Sequence, residues 1–586
     1  MGAQREPRQG TTRREFLRDA GLLGAAIAGA TILPACGSPE VVQETPPATT
    51  PEPAPAPAPA AAAPDVMTAD LASKKWSFEI PPDPIPESEI ANTVTADVVV
   101  IGAGISGLVT ALSAAEHGAK VVLVSASSRP VFRGGSFHAP KSRAYAQNGV
   151  EPYDVDFLRE DLAKASFNVD QRKWYKFYNN AETAMNWLID KMEAHGYTTV
   201  FERTNDHPGD PMHQPIAAHN WIKDWSETQA GMSAEAVANV LEEEAKKAGV
   251  EFHYKTVAKQ LVRENNNTGR VTATIAMGPD GKYTKFVGTR GIVLATGDFS
   301  TDREMMAKYC PMVIPLLDNT GDQGYDNTLK LGGLMPGDGH KMALWVGAAW
   351  QRTYPCTPML TAHWRGANRP YGSHRGLIVN KRGERFGNED ANDSYMSFAA
   401  MHQPDMTVYG IWSVRYAYDA APWYLHGTFY HKPETPPEEM INIWDGYVET
   451  GEMVKGDTID EVIQKLGLPA AETKATIERY NELCSKGYDE DFHKRAELLV
   501  PIDQPPFYGA PWKPWFLTVL GGLRTNINMQ VCDENDNPIP GLFAVGTLVG
   551  DYYANMYTFQ IAGNNLGANC LTFGYLTGKA LAEGTV

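Results

Sequence analysis

The fold class is decided by residues 96–125, which read ADVVVIGAGISGLVTALSAAEHGAKVVLVS. The apolar run Val98–Ile101 has the pattern of a buried strand, and Leu108–Glu116 has apolar residues at helical spacing. Val121–Val124 is a second apolar run of strand length. A strand, a helix and a second strand in this order predict an α/β protein with a Rossmann-like unit.

Three glycines between the first strand and the helix form the pattern G-x-G-x-x-G. Gly102 permits a tight turn, Gly104 lets the backbone approach a pyrophosphate, and Gly107 lets the helix pack on the sheet. The phosphates of a dinucleotide are then expected at the positive N-terminus of the helix. An acid commonly follows the second strand and binds the ribose, but this chain has Ser125, whose hydroxyl can bind a ribose without charge.

The composition is that of a globular protein with an acidic balance. The chain has 586 residues, 43% of them hydrophobic, and a formal net charge of -18. This length allows two or three domains, and the charge argues against nucleic acid as a partner. The six cysteines form no C-x-x-C pair, so a haem, a zinc ribbon or a plant-type iron–sulfur site is unsupported and no metal site is predicted. A cluster assembled from distant cysteines stays an open alternative.

The N-terminal segment has the pattern of an export signal. Residues 11–18 read TTRREFLR, and the small apolar run Ala20–Ile32 follows, which resembles a twin-arginine (Tat) signal. The next residues resemble a lipoprotein cleavage box with Cys36 as the lipidated residue, and ordinary cleavage nearby is the alternative. Residues 45–64 are a Pro/Ala spacer. We expect export by the Tat translocase and an extracytoplasmic protein anchored to the membrane through Cys36.

Several further segments occur in a characteristic order. They are GGS (134–136), IVLATGDF (292–299), GGLRTN (521–526), PIPGLFAVG (538–546) and GNNLGANCLTFGYLTGKAL (563–581). From about residue 95 onward the chain resembles the fumarate reductase and 3-ketosteroid Δ1-dehydrogenase family of flavoproteins. The resemblance implies FAD as cofactor and a ββα-type, Rossmann-like FAD-binding domain with a mixed or parallel sheet, interrupted by an α+β substrate cap domain.

The resemblance also implies boundaries and cofactor contacts. The expected segments are a leader (1–36), a linker (37–90), an N-terminal FAD-binding segment (91–350), a cap (351–517) and a C-terminal FAD-binding segment (518–586). The expected FAD contacts are Gly102, Gly104, Ile105, Ser106, Gly107, Ser125, Gly134, Gly135, Ser136, Ala295, Thr296, Gly297, Gly546, Asn565 and Leu566.

The substrate side departs from the fumarate reductase pattern. The family places its proton-transfer residue just after the motif matched by VNKRGERFGNE (379–389), and the arginine of fumarate reductases falls at Asp393. The histidine of that branch falls at Thr518, and the arginine of its C-terminal loop falls at Gln560 or Ile561. Because a dicarboxylate needs fixed cations, fumarate is not the expected substrate.

The ketosteroid branch suggests two tyrosines instead. Tyr395 matches the residue that transfers a proton, and Tyr557 matches the one that binds the substrate carbonyl. Arg375 is a rival acid or carboxylate anchor, and simple packing is the alternative for both tyrosines. Residues 350–430 are rich in aromatics, which favours a flat aromatic or polycyclic substrate, although aromatics that join a cap to its base are an equal alternative.

These patterns predict an exported FAD enzyme that reduces a C=C bond conjugated to a carbonyl in a small molecule. No haem or covalent-FMN motif is present in the sequence, so a separate membrane or extracytoplasmic electron donor is expected. The alternatives are a ketosteroid-type dehydrogenase that works in the oxidative direction and an exported electron-transfer flavoprotein without catalysis.

Overall fold

A computed structural model describes most of the chain after residue 74. The described residues are 75–165, 167–201, 216–223, 233–317, 325, 335–362, 376–391, 393–419, 436–557 and 561–586. The predicted leader and Cys36 lie outside them, as does Arg375. Among the described residues, no helix has the length and apolar character needed to cross a membrane.

The strands are numbered in chain order. They are β1 (Ile90–Ile101), β2 (Val121–Val124), β3 (Phe137–His138), β4 (Thr198–Phe201), β5 (Ala218–Ile222), β6 (Glu251–His253), β7 (Val257–Arg263), β8 (Val271–Met277), β9 (Tyr283–Leu294), β10 (Thr357–Ala362), β11 (Leu377–Asn380), β12 (Val408–Ser413), β13 (Val454–Gly456), β14 (Phe507–Trp512), β15 (Pro514–Leu520), β16 (Gln530–Cys532) and β17 (Pro538–Ala544).

The main α-helices are numbered in the same way. They are α1 (Ile105–Glu116), α2 (Arg143–Asn148), α3 (Val155–Lys164), α4 (Gln171–Ala194), α5 (Ala234–Lys247), α6 (Arg303–Tyr309), α7 (Asp338–Trp345), α8 (Asp393–Met401), α9 (Arg415–Asp419), α10 (Pro437–Glu449), α11 (Ile459–Leu466), α12 (Ala470–Lys486) and α13 (Phe573–Glu583), and a π-helix covers Asn565–Thr572.

Within the described ranges, the largest sheet has eight strands and is mostly parallel. Its main path runs β16-β17-β9-β1-β2-β6; pairing is parallel from β17 to β6, whereas β16 pairs antiparallel with β17. The hairpin β7–β8 joins it where β8 pairs antiparallel with β9. The end of β1 (Val98–Ile101) and the whole of β2 are continuous apolar runs because helices cover the sheet, with α1 packed against α5 and α13. The sheet therefore combines strands from the two ends of the described chain.

The described residues also form three smaller sheets. Strands β3-β5-β4 form one, β10-β15 form the second, and β11-β12-β14-β13 form the third, all with antiparallel pairing. The third sheet packs against α11 and α12 in a separate apolar cluster. Gly467, in the left-handed conformation, ends α11 just before α12 begins.

The fold class predicted from the sequence, a Rossmann-like α/β domain with an inserted α+β region, is confirmed. The residue boundaries of the leader, linker and domains stay predictions. The structure adds that residues 75–90 pack on the body: Trp76 and Phe78 are each 3% exposed and belong to a cluster with Phe299 and Tyr309.

Candidate functional site: a dinucleotide cavity

The glycine turn has the tight geometry that its sequence predicts. Gly102 has a φ of +115°, and a Cβ there would lie 2.3 Å from the carbonyl oxygen of Ala295. A Cβ on Gly107 would lie 1.9 Å from the carbonyl oxygen of Gly102, so only glycine fits where α1 approaches the turn. Around Gly104, in contrast, the nearest heavy atom to such a Cβ is 3.9 Å away. Protein atoms therefore fill the space beside Gly102 and Gly107, whereas the space beside Gly104 is open.

The open side of the turn fits phosphate groups. Gly104 is the N-cap of α1, and no side chain caps the amides of the first turn. Such amides and the helix dipole together bind anions. The hydroxyls of Thr296 and Thr547 line the same cavity and are buried without a hydrogen-bond partner in the described part of the chain. Uncapped amides and unsatisfied hydroxyls suit a ligand rich in acceptor oxygens.

One continuous cavity brings together most of the residues predicted to bind FAD. Those that line it are Gly102, Gly104, Ile105, Ser106, Ser125, Gly134, Gly135, Ser136, Ala295, Thr296, Gly297, Asn565 and Leu566. Gly107 and Gly546 lie beneath this surface, where a Cβ on Gly546 would be 2.6 Å from the Ser106 hydroxyl. The segment Gly563–Cys570 contributes lining residues from the C-terminal region of the chain.

Ser125 lines the cavity, and its hydroxyl already has protein partners. The Ser125 Oγ lies 2.7 Å from the Ser127 Oγ and accepts a hydrogen bond from the Ala103 amide at 3.3 Å. It therefore ties the glycine turn to the end of β2. Its predicted contact with a ribose stays a prediction.

A buried polar network that the sequence reasoning missed supports the Gly134–Ser136 loop. The Ser233 Oγ lies 3.0 Å from the Gly135 carbonyl oxygen and 2.8 Å from the Asn220 Oδ1. The Asn220 Nδ2 donates to the Ser136 Oγ at 3.1 Å. No local pattern marks Asn220 or Ser233, because they meet the loop only through the β3-β5-β4 sheet and the start of α5.

The structure places the two predicted tyrosines differently. Tyr557 lines the cavity and is 4% exposed, and its hydroxyl lies 3.4 Å from the Ile561 carbonyl oxygen, which accepts from it. Tyr395 is half-buried on α8 and is not among the residues described as lining the cavity. Helix α8 packs on β10, where the Ser394 Oγ donates to the Leu360 carbonyl oxygen at 3.2 Å, and the neighbouring Met359 lines the cavity.

Charged groups that line the cavity were also missed, among them Asp298 and Arg133. Asp298 is 1% exposed and lies in the turn that follows β9, so the carboxylate in the predicted strand-and-turn IVLATGDF was the available signal. Arg133 precedes the Gly134–Ser136 loop; burial lowers the pKa of its guanidinium to about 10, and the attraction of Asp298 opposes this shift. Thr518, which the sequence analysis aligned with a fumarate-binding histidine, donates its hydroxyl hydrogen to Asp298.

The comparisons with known proteins agree with this cavity. A family model described as an FAD binding domain matches residues 97–566. The chain belongs to the FAD binding domain family. FAD is its cofactor, and the predicted resemblance to fumarate reductase and ketosteroid dehydrogenase flavoproteins is confirmed. Like other members of this FAD binding domain family, the chain is an FAD-dependent oxidoreductase that acts on CH–CH bonds.

Two curated members of the family are similar over most of their length. Urocanate reductase of Eggerthella lenta is 27% identical over 506 residues, which cover 84% of this chain and 75% of that protein. Vinyl phenol reductase of Lactiplantibacillus plantarum is 27% identical over 506 residues, which cover 82% of this chain and 94% of that protein.

A solved structure shows the same fold. The 3-ketosteroid-Δ4-(5α)-dehydrogenase from Rhodococcus jostii superposes with a TM-score of 0.62 and 22% identity, over 85% of this chain and 98% of that one.

Proposed function

We propose that this FAD-dependent oxidoreductase reduces a C=C bond conjugated to a carbonyl, in an aromatic or polycyclic small molecule other than fumarate. The observation that carries the proposal is Tyr557, a phenolic hydroxyl that lines the same cavity as the glycine turn. Relatives named as reductases of urocanate and of vinyl phenol support the reductive direction.

The chain's own residues divide the work of such a reaction. FAD, held by the residues that line the cavity around the glycine turn, would supply hydride chemistry at this site. The Tyr557 hydroxyl holds the substrate carbonyl oxygen, and its weak 3.4 Å bond to the Ile561 carbonyl oxygen is one that a substrate can replace. A donor fixed against that oxygen stabilises the negative charge that develops on it. Tyr395, on the helix that packs against β10, transfers the proton to the neighbouring carbon.

Anaerobic titration of the dithionite-reduced holoenzyme tests this proposal. A panel of enones, aryl-alkenes and enoates is added while the flavin absorbance is followed. We expect reoxidation by an unsaturated carbonyl compound and none by fumarate. Failure of every compound to reoxidise the flavin would remove the reductase proposal, and bleaching of the oxidised enzyme by a saturated ketone would replace it with the dehydrogenase alternative.

Two variants separate the roles of the tyrosines. Tyr557→Phe is expected to lower kcat by about 10²–10³, because it removes a donor from the developing oxyanion. Tyr395→Phe is expected to lower kcat by about 10²–10⁴, because it removes the proton donor. Unchanged turnover of a confirmed substrate in either variant would remove that tyrosine from the mechanism, and the flavin content of each purified variant controls for loss of cofactor.

The location and the electron source belong to the same proposal. We take the protein to be exported through the Tat translocase, anchored by lipidated Cys36, and reduced by a separate membrane or extracytoplasmic donor protein. Replacement of Arg13 and Arg14 by lysine is expected to retain the protein inside the cell. Cys36→Ala is expected to release it from the membrane fraction. Membrane retention of the Cys36→Ala variant would contradict lipidation.

A further inference from the structure

Asp298 and Thr518 form a hydrogen-bonded pair in the wall of the cavity. The Asp298 Oδ1 accepts from the Ser300 amide at 3.1 Å, the Ser300 Oγ at 2.8 Å and the Met335 amide at 3.1 Å. The Asp298 Oδ2 accepts from the Thr518 Oγ1. Both residues of the pair line the cavity.

The direction of these hydrogen bonds determines whether the Thr518 hydroxyl donates or accepts toward the cavity. Asp298 receives four donors, so both of its carboxyl oxygens act as acceptors in these contacts. A threonine hydroxyl has one hydrogen and two lone pairs, and here the hydrogen is used by Asp298. The Thr518 oxygen can therefore only accept a hydrogen bond from a molecule in the cavity.

Thr518 lines the cavity on the side formed by β10 and β15. Thr518 belongs to β15, where it is the direct cross-strand partner of Met359 on β10. Helix α8, which carries Tyr395, packs on β10 and also contacts β15. The glycine turn lies on a different element, between β1 and α1. Met359 and Thr518 therefore belong to the two strands that contact α8, the helix of the predicted proton donor.

The other charged groups in the described lining of the cavity do not change the direction in which the Thr518 hydroxyl donates. Arg133 attracts Asp298 and offsets some of its charge. Asp338, at the start of α7, adds a second carboxylate, which accepts from the Tyr325 hydroxyl at 2.8 Å. Neither group hydrogen-bonds Thr518 in any contact of the described residues, so the hydroxyl keeps its orientation toward Asp298.

The geometry points to a specificity pair: Asp298, acting through Thr518, selects a substrate that presents a hydrogen-bond donor, such as a phenol O–H or a ring N–H, and disfavours a carboxylate. The inference rests on the proposed function for the reaction at this site, but it concerns binding and needs no turnover. A site built to accept from a hydroxyl discriminates strongly against an analogue that lacks it, because a buried acceptor is then left without a partner.

Three probes that differ at one position test the selectivity. 4-Ethylphenol, its methyl ether 4-ethylanisole and the 4-ethylbenzoate anion are titrated into the oxidised holoenzyme, and the flavin difference spectrum gives a Kd for each. We expect the phenol to bind at least about tenfold more tightly than the ether, and the carboxylate to bind most weakly. Absence of phenol binding, or equal Kd values for phenol and ether, would overturn the inference.

Two variants test the pair itself. In Asp298→Asn the new amide can donate to Thr518, whose hydroxyl is then turned to donate into the cavity; we expect the phenol preference to fall and benzoate binding to tighten. Thr518→Val removes the acceptor, so the phenol preference is expected to disappear without a gain for benzoate. Asp302→Asn, the same change at a carboxylate that caps α6 outside this cavity, is the matched control.

The outcomes separate this inference from the proposed function. A phenol preference that Asp298→Asn and Thr518→Val abolish, together with no flavin reoxidation by any alkene, would keep the pair and remove the reductase. Flavin reoxidation with a phenol preference unchanged in both variants would keep the reductase and remove the pair. Flavin content measured for each variant excludes loss of cofactor as the cause.

Discussion

A side chain at Gly107 meets a different environment from one at Gly104. The Cβ of an alanine would lie 1.9 Å from a backbone oxygen at Gly107, but 3.9 Å from the nearest heavy atom at Gly104. The backbone of Gly104 has a φ of -77°, which any residue adopts. The two glycines therefore serve different purposes: Gly107 lets the helix reach the turn, and Gly104 keeps space for a ligand.

Alanine substitutions should separate these purposes. Gly107→Ala is expected to lower the melting temperature of the apoprotein, because the turn must move away from α1. Gly104→Ala should leave that temperature unchanged and weaken FAD binding by about tenfold, or ~1.4 kcal/mol, because the methyl group takes the space of the approaching pyrophosphate. Thermal melts of the apoproteins and fluorescence titrations with FAD measure the two effects. Equal melting temperatures for both variants would contradict this distinction.

At the scale of elements, a buried ion cluster fixes the segment that leads into α8. Arg385 donates to both oxygens of Glu389, at 2.9 and 2.7 Å, and to both oxygens of Asp489, at 3.2 and 2.9 Å. The Lys494 Nζ lies 3.8 Å from Glu389. All four side chains are almost fully buried. Arg385 and Glu389 belong to the motif VNKRGERFGNE (379–389), which predicted a nearby catalytic residue. Through this cluster the motif joins the segment before α8 to the segment after α12.

Removal of the shared arginine should destabilise the fold strongly. Arg385→Ala leaves two buried carboxylates without their main partner, and we expect it to lower the free energy of unfolding by about 3–5 kcal/mol. Arg382→Ala removes an exposed arginine, paired with Glu384 in the same motif, and should cause no measurable change. Urea denaturation of the two variants provides the comparison. A similar small effect in both would show that the cluster contributes little.

The same cluster predicts that the stability of the fold decreases at acidic pH. Burial raises the pKa of Asp489, but the hydrogen bonds and charge of Arg385 outweigh it and lower that pKa from 3.8 to about 2. Because the pKa of Asp489 is lower in the folded than in the unfolded state, its ionised carboxylate stabilises the fold above about pH 4. This contribution to the free energy of unfolding is lost as the pH falls from about 4 to 2. The stability difference between the wild type and Asp489→Asn should therefore shrink over that window, as measured by denaturation at each pH. A constant difference would place the pKa of Asp489 near its ordinary value.

At the scale of the whole molecule, the cavity couples cofactor binding to stability. Removal of FAD is expected to lower the melting temperature, and added FAD should restore it. At a free FAD concentration of about 100 Kd, binding should raise the free energy of unfolding by about 2.7 kcal/mol. FMN lacks the adenosine half and should restore less, because the cavity extends to Thr256 and Val257 beside β2 and β6. Scanning calorimetry with each flavin measures this. Equal stabilisation by FMN and FAD would mean that the adenosine half makes no net contribution.

Sequence patterns predicted those parts of the molecule in which the contacting residues are close together in the chain. The β1–α1–β2 unit and its glycine turn follow from periodicity and from steric limits over thirty residues. The lining contributed by the C-terminal segments followed only from the order of several motifs. Contacts such as Thr518 with Asp298 were out of reach, because they join residues that are 220 positions apart and that no sequence pattern relates. The position of Tyr395 outside the described cavity lining has the same origin, since the path of α8 depends on packing against β10.

The parallel pairing of β1 with β9 has a consequence for the protein while it is being synthesised. Val99 pairs with Ile292, so β1 leaves the ribosome long before its partner strand does. At 5–20 residues per second, this interval is roughly 10–40 s. During it the nascent chain presents an unpaired apolar strand edge, of the kind that promotes association between chains. Strand β17 and the π-helix are made later still, so a newly made chain passes through an aggregation-prone interval before it can retain flavin.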